Sequence, residues 1–277
     1  MPSRMGRTSG NGNGNGDGNG NGEKESRDQR CVPRATLPAV REELAAKRAR
    51  DIRGMFGRIA QRYDLLNRTL SLGQDRRWRR AVAGRVATAA PRRLLDVCTG
   101  TGDLALGQPA AGSVYGCDFC LPMLALARGK TAASATRPAW FAADALRLPL
   151  ADGALDAVTV AFGIRNFEDL EAGLGELARV LRPQGRVVIL EFSTPHGALA
   201  PVLRWWVRHV PPLLGRLISG DGEAYRYLSA SVAAFPDGDQ LCSLLQAAGF
   251  AGVRATPLTG GVATLYDGAR ASDGRVR

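Results

Sequence analysis

The 277-residue sequence predicts an open α/β fold, a mostly parallel, Rossmann-like sheet with helices on both faces. Three observations predict it. Apolar runs of strand length alternate with helical stretches between Leu94 and Phe192, the signature of successive βαβ units. The first run, Leu94-Leu95-Asp96-Val97, passes straight into a turn of small residues, Cys98-Thr99-Gly100-Thr101-Gly102, and then into the apolar Leu104-Ala105-Leu106. Later runs end on acids, at Asp118 and Asp144, where an open sheet binds its ligands.

Residues 1–35 come first and are low-complexity, dominated by Asn-Gly alternation over 11–16 and 19–22; with almost nothing to bury, they are predicted to be a disordered tail. Arg41 to Asn67 reads as helix, with Ile52, Met55, Phe56 and Ile59 at helical spacing. Arg76, Arg77, Arg79 and Arg80 then surround Trp78. That cluster reads either as a solvated helix face or as a contact for phosphates or lipid headgroups, with the ring at the interface. A helix over Ala81–Ala90 completes an N-terminal helical cap (41–90) and leads through Pro91 into the first strand.

The turn after that strand is the informative one. Its glycine spacing is not that of the dinucleotide fingerprint, and no Gly-Lys-Ser/Thr of a P-loop follows. Asp-x-x-x-Gly-x-Gly, from Asp96 to Gly102, fits S-adenosylmethionine better, because Gly100 and Gly102 allow close backbone approach to its positively charged amino acid end. Pro109 and Gly112 clip the helix that follows.

Ser113–Asp118 is the second strand, and Asp118 at its end can accept from both ribose hydroxyls of a nucleoside; a role in capping the helix Leu121–Lys130 is the competing reading. Trp140–Ala145 is a third strand, its Asp144 suited to an adenine amino group while Ala145 packs beside the ring. Leu155–Phe162 is the fourth, and Gly163-Ile164-Arg165-Asn166 leaves its carboxyl end. Glu168–Val180 is an amphipathic helix, Leu181–Gly185 a turn, and Arg186–Phe192 a fifth strand apolar enough to be central. Thr101, Asp118, Asp144 and Arg165 therefore fall on one rim.

Ala198–Ser219 mixes Trp205, Trp206 and many aliphatic residues with Arg204, Arg208, His209 and Arg216, and reads as a lid over an apolar pocket or a bilayer-facing surface, within an insertion at about 196–230. Gly238–Gly249 and Val253–Val262 supply a helix and an edge strand or two, and the polar stretch 267–277 reads as a loose tail.

Composition narrows the function classes. The formal charge of +11 implies attraction to something anionic, a membrane surface or nucleic acid. No apolar run approaches the ~20 residues of a membrane span, and no signal-peptide core is apparent. Five scattered cysteines, Cys31, Cys98, Cys117, Cys120 and Cys242, argue for a reducing cytoplasm, and the lone C-x-x-C at Cys117–Cys120 lacks the second pair a metal site needs. Nucleic acid is disfavoured because aromatics and basic residues do not interleave on a strand platform.

With these residues in place, the chain resembles the UbiE/MenG family of quinone-biosynthesis C-methyltransferases from about Met55 to Leu265. The resemblance lies in MFGRIAQRYDLLNRTLSLGQDRRW (55–78), LLDVCTGTGDLAL (94–106), GCDFCLPML (116–124), AFGIRNFEDL (161–170), RVLRPQGRVVILEFSTP (179–195) and AYRYLSASVAAFPDGDQL (224–241). It implies the class I S-adenosylmethionine-dependent methyltransferase fold as a single domain over 41–265. It also implies methylation of a ring carbon of a prenylated demethylated quinol, demethylmenaquinol to menaquinol, with release of S-adenosylhomocysteine and no metal.

Cofactor contacts are implied for Asp96, Gly100, Thr101, Gly102, Asp118, Asp144 and Ala145. Arg165 would stabilise phenolate charge or orient the deprotonating water, with Tyr63 and Asp64 as further catalytic candidates. Asn67 and Asn166 would grip the quinol head, and Tyr225 and Tyr227 would line its pocket. The chain departs from the family pattern at Ala161, where Ser is frequent, in the clipped helix after Gly102, and in ending on Tyr266-Asp267-Gly268. The expected setting is the bacterial cytoplasm, peripheral on the inner face of the plasma membrane, and a homo-oligomer is compatible with the sequence. Another apolar small-molecule acceptor, or a benzoquinol as a second substrate, stays open at this point.

Overall fold

A computed structural model describes residues 37–108, 112–197, 200–206, 209 and 230–272. Its elements are α1 (Leu37–Leu70), α2 (Gln74–Ala87), β1 (Arg93–Val97), α3 (Asp103–Leu106), β2 (Ser113–Asp118), α4 (Leu121–Thr131), β3 (Ala139–Ala142), β4 (Leu155–Ala161), a 3-10 turn (Ile164–Asn166), α5 (Leu170–Val180), β5 (Leu181–Phe192), α6 (Asp239–Ala247), β6 (Phe250–Leu258), a second 3-10 turn (Thr259–Gly261) and β7 (Ala263–Arg270). Residues 200–206 and 230–234 are also helical.

The sheet runs β3-β2-β1-β4-β5-β7-β6 among the described residues. β1 to β5 are parallel, and β7 is antiparallel to both of its neighbours. Val187 to Glu191 on β5 and Ala157 to Val160 on β4 are buried, as the centre of a sheet covered on both faces requires. One face packs Leu174, Leu177, Leu241 and Leu245 against Val158, Val160 and Ile189. The other packs Trp78, Val82 and Val86 of α2, a single helical stripe, on Leu94, Ala157 and Val188. α1 reaches the sheet through α4, with Ala60 against Cys120 and Met123.

Four sequence readings need correction. Residues 267–270 are not tail: they finish β7, where Tyr266 and Asp267 are buried and Asp267 is paired by Arg85 at 3.6 Å and Arg186 at 3.4 Å. β7 lies between β5 and β6, and β6, which overlaps the edge strand read over 253–262, is at the sheet edge. Trp78 is not at an interface; it is 3 % exposed and its indole Nε1 donates to Thr259 Oγ1 at 2.9 Å. The turn read over 181–185 lies within β5, where Leu181 pairs with Leu155 before a register shift and Gln184 takes a left-handed φ of 63°. β3 ends at Ala142, so Asp144 stands two residues beyond the strand.

The clipped helix is real: α3 has only 4 residues. Trp140 makes up the missing cover. Its ring lies where a Cβ on Gly116 would come within 2.4 Å and one on Gly102 within 2.7 Å, and its Nε1 donates to Thr131 Oγ1 at 2.9 Å. An indole on those two glycines buries sheet surface that a longer helix would otherwise screen, and its polar atom is satisfied from α4.

The tail over 1–35, Tyr225, Tyr227 and most of the expected lid lie outside the described residues.

Candidate active site

Successive strands are added outward from β1 toward β3 and then, from β4, on the other side, while β1 and β4 stay parallel; this switch point puts their carboxyl ends beside the crevice in which open sheets hold ligands. Both strands leave the sheet through a left-handed, non-glycine residue, Cys98 (φ 53°) after β1 and Phe162 (φ 58°) after β4. Such backbone costs about 1–3 kcal/mol per residue and persists where surrounding structure enforces it. Gly163 lies directly against Cys98.

The glycine turn is ordered from below and from the side. Asp96 is buried between β1 and β4; its Oδ2 accepts from Thr99 Oγ1 at 2.6 Å and its Oδ1 from Thr159 Oγ1 at 2.8 Å. Burial pushes its carboxyl from 3.8 up to about 6, against the pull of those two hydroxyls. Gly100 (φ 57°) donates its N–H to Asp118 Oδ2 at 2.8 Å, and Cys120 N donates to Asp118 Oδ1 at 2.8 Å. Burial raises the Asp118 carboxyl as well. Asp118 thus ties the turn to the start of α4 and leaves further acceptor capacity on each oxygen.

From above, Tyr63 of α1 covers the turn, its ring edge-to-face with Phe56 at 6.0 Å. A Cβ on Gly100 would meet only this ring, at 4.0 Å. One turn of chemistry further along the same contact, Asp64 Oδ1 accepts from Thr101 Oγ1 at 2.6 Å, and its other oxygen pairs with Lys130 of α4. Lys130 also reaches Asp103 at 2.6 Å. Asp64 thus links α1 to the glycine turn and to α4. Asn67 is half-buried one helical turn beyond it, and Asn166 is half-buried on the 3-10 turn after β4.

Asp144 is exposed and accepts from Leu146 N at 2.9 Å, whereas Ala145 is packed into the core layer with Leu148 and Val160. Arg165 is buried: its Nη1 donates to Glu191 Oε1 and to Phe162 O, each at 2.6 Å, and its Cζ stands 5.4 Å from the Phe192 ring centroid. Phe192 in turn lies 4.4 Å from Phe162, with Trp78 closing the cluster at 6.0 Å and 6.3 Å. The Arg165 guanidinium is paired with the Glu191 carboxylate, 26 residues further along the chain. Removing one member of such a buried pair costs about 3–5 kcal/mol, since the other charge is left uncompensated.

Sequence reasoning missed Glu191, Lys130 and the aromatic cluster as site residues. Glu191 carried a signal, an acid inside an otherwise apolar central strand, and Lys130 carried none. Cys117 and Cys120 are buried, and burial raises both thiols, which disfavours thiolate chemistry. Among the described residues no group of three or more His, Cys, Asp or Glu side chains is placed to hold a metal ion.

The strand order, the glycine turn at the switch point and the acids beyond β2 and β3 define the class I fold of the S-adenosylmethionine-dependent methyltransferases. A crystal structure of such an enzyme from Thermotoga maritima superposes with a TM-score of 0.55 at 18% identity, over 78% of this chain and 99% of that one. At family level the match is closer. The chain belongs to the ubiE/COQ5 methyltransferase family, whose model matches residues 43–270. It is 54% identical over 220 residues to the demethylmenaquinone methyltransferase of Thermus thermophilus, covering 78% of this chain and 100% of that protein. It is 47% identical over 228 residues to the ubiquinone/menaquinone biosynthesis C-methyltransferase UbiE of Syntrophotalea carbinolica, covering 81% and 96%.

Proposed function

We propose that this enzyme methylates a ring carbon of a prenylated demethylmenaquinol, using S-adenosylmethionine, in menaquinone biosynthesis. The observation that carries the reading is the contact of Gly163 with Cys98, which sets the loop of the buried Arg165 and its aromatic neighbours beside the glycine turn. The names of relatives at 54% and 48% identity point to the same substrate.

The residues fit the cofactor. Gly100 offers backbone without a Cβ, Gly102 gives up its Cβ to the Trp140 ring and so lets the turn close tightly, Asp118 and Asp144 offer acceptors for ribose hydroxyls and an adenine amino group, and Thr101 is held by Asp64. Asp96 acts from beneath, by shaping the turn, and Ala145 by lining the core side. When bound, S-adenosylmethionine supplies an electrophilic methyl on a sulfonium sulfur. A hydroquinone carbon becomes nucleophilic as the oxygen beside it loses its proton, so the protein's task is to align the ring and favour that loss. Arg165 would donate a hydrogen bond to that oxygen and stabilise its developing charge. Tyr63 would close the crevice over the turn, Asn67 and Asn166 would hold the quinol head, and Tyr225 and Tyr227 would line the path of the prenyl chain.

The prenyl chain brings the enzyme to a bilayer, and two surface features suit one. Val202 and Trp205 are 67 % and 59 % exposed on helix 200–206, whose Leu203 lies against Gly260. Leu72 is 67 % exposed at the start of α2, beside the exposed Arg76, Arg77 and Arg80. Trp78 of α2 bonds to Thr259, next to that same Gly260, so α2 and helix 200–206 both contact one 3-10 turn. Apolar side chains among arginines fit peripheral attachment to an anionic leaflet on the cytoplasmic side. No helix among the described residues is long and apolar enough to cross the membrane.

The test is transfer of a labelled methyl group to reduced naphthoquinol and benzoquinol acceptors. Turnover on naphthoquinol supports the reading, turnover on both indicates a dual enzyme, and turnover on neither refutes it. Co-sedimentation with anionic vesicles, compared between the native chain and Trp205→Ala, tests the membrane surface.

A further inference from the structure

Glu191 is fully buried at the carboxyl end of β5, and three donors converge on it. Oε1 accepts from Arg165 Nη1 at 2.6 Å and from Phe192 N at 2.9 Å, and Oε2 accepts from Arg165 N at 3.4 Å. Nη1 of Arg165 is shared with Phe162 O at 2.6 Å, a carbonyl whose direction is set by the left-handed backbone of Phe162. The Phe192 ring, 5.4 Å from Cζ, limits how the guanidinium can move. With one end anchored this way, Arg165 Nε is buried and has no partner.

This arrangement is a poor way to gain stability. A buried ion pair is commonly no better than apolar residues of the same volume, and a buried N–H without an acceptor is costly. An unsatisfied buried donor calls for an explanation, and a catalytic role is one.

We propose that Glu191 is a positioning residue: it fixes the Arg165 guanidinium so that the N–H groups not used by Glu191 and Phe162 are the donors directed at the quinol oxygen beside the carbon that is methylated. The inference rests on the quinol reading above. Glu191 itself touches neither the quinol nor the cofactor and acts through Arg165. The pair is net neutral, so an uncharged quinol meets a directed hydrogen bond without facing an unbalanced charge in apolar surroundings.

The test compares the full chain with Glu191→Gln and Glu191→Asp. Readouts are kcat and KM on a short-chain reduced naphthoquinol, S-adenosylhomocysteine affinity by calorimetry, and the Arg165 Nε–H resonance, assigned by its loss in Arg165→Lys. Glu191→Gln should lower kcat about 100-fold, the scale of removing one oriented donor, while S-adenosylhomocysteine affinity changes less than about twofold. Glu191→Asp, which keeps the charge, should recover part of kcat. The native Nε–H resonance should be single and shift when the naphthoquinol is added; in Glu191→Gln it should broaden or vanish.

An unchanged kcat in Glu191→Gln, or a kcat loss matched by equal loss of S-adenosylhomocysteine affinity with the resonance intact, overturns the proposal. Should Glu191→Gln fail to fold, Glu191→Asp decides it through the same readouts. Absence of quinol turnover in the native chain refutes the substrate reading and the donor role with it, whereas the resonance in the variants still reports whether Glu191 holds the guanidinium.

Discussion

Gly163 and Cys98 touch across the switch point of the sheet: a Cβ added to Gly163 would stand 2.5 Å from Cys98 Cβ and 3.2 Å from its sulfur. Cys98 already holds a left-handed φ of 53°, so neither side of this contact can yield without moving a strand end. Gly163→Ala should therefore displace the loop carrying Arg165, lowering stability by about 1–3 kcal/mol and turnover more steeply. Cys98→Gly removes the opposing Cβ and relieves its own backbone. The double variant should recover most of the loss, with a coupling above about 1 kcal/mol in a thermal-denaturation cycle. Additive losses would show that the contact is not the cause.

The clasp from α1 predicts a loss of cofactor affinity. Asp64→Ala deprives Thr101 Oγ1 and Lys130 of an acceptor that lies outside the sheet. S-adenosylhomocysteine should bind roughly tenfold more weakly, about 1.4 kcal/mol. Thr101→Val should cost a similar amount and add little to Asp64→Ala, because both break the same bond. Calorimetric titration of the three variants checks this, and unaltered affinity in Asp64→Ala would rule the clasp out.

Gly102 and Gly73 separate backbone strain from crowding. Both are left-handed, at φ 83° and 74°, but a Cβ on Gly102 meets Trp140 at 2.7 Å and Ala127 at 3.0 Å, while one on Gly73 meets nothing within 4 Å. Gly73→Ala should cost about 1–2 kcal/mol from backbone alone. Gly102→Ala should cost about 1–3 kcal/mol more, and should weaken cofactor binding besides. Equal melting temperatures for the two variants would mean that Trp140 moves aside freely.

Asp96 predicts a pH dependence with a definite sign. Its carboxyl is raised from 3.8 to about 6 by burial, so the folded chain binds this proton more tightly than the unfolded chain. The contribution of the group to stability is then fully present below about pH 4, falls as pH rises to about 6, and is level above; the whole range corresponds to about 3 kcal/mol. Asp96→Asn lacks the titration and can still bond both threonine hydroxyls, which rotate to suit. Its stability relative to the native chain should therefore improve from about pH 4 to pH 7 in urea denaturation. A constant difference across that range would contradict the assignment.

The legible parts of the sequence were those decided locally. The glycine turn, the acids ending β2 and following β3, and the clipped helix each follow from residues within one turn or strand. The illegible parts were decided at long range. Asp267 reads as a tail residue until Arg85 and Arg186 are seen to neutralise it inside the sheet. Trp78 reads as a headgroup anchor among arginines until its indole N–H meets an acceptor 181 residues away. Arg165 follows β4 as its sequence position implies, but its partner lies 26 residues on, in a strand whose apolar character conceals an acid. Nothing near Asp64 in sequence announces its partners Thr101 and Lys130.

The place of β7 has a consequence for how the chain comes to be folded. Among the described residues β6 bonds only to β7, and β7 joins it to β5, so β6 cannot enter the sheet until β7, which follows it in the chain, has been made. While residues 193–270 are being synthesised, the hydrogen-bonding edge of β5 has no native partner, for roughly 4–16 s at ordinary ribosome speeds. An apolar strand with an open edge invites pairing with other chains during that interval. Conditions that slow translation of residues 193–270 should therefore reduce the yield of soluble enzyme, although every strand from β1 to β5 has by then already been translated.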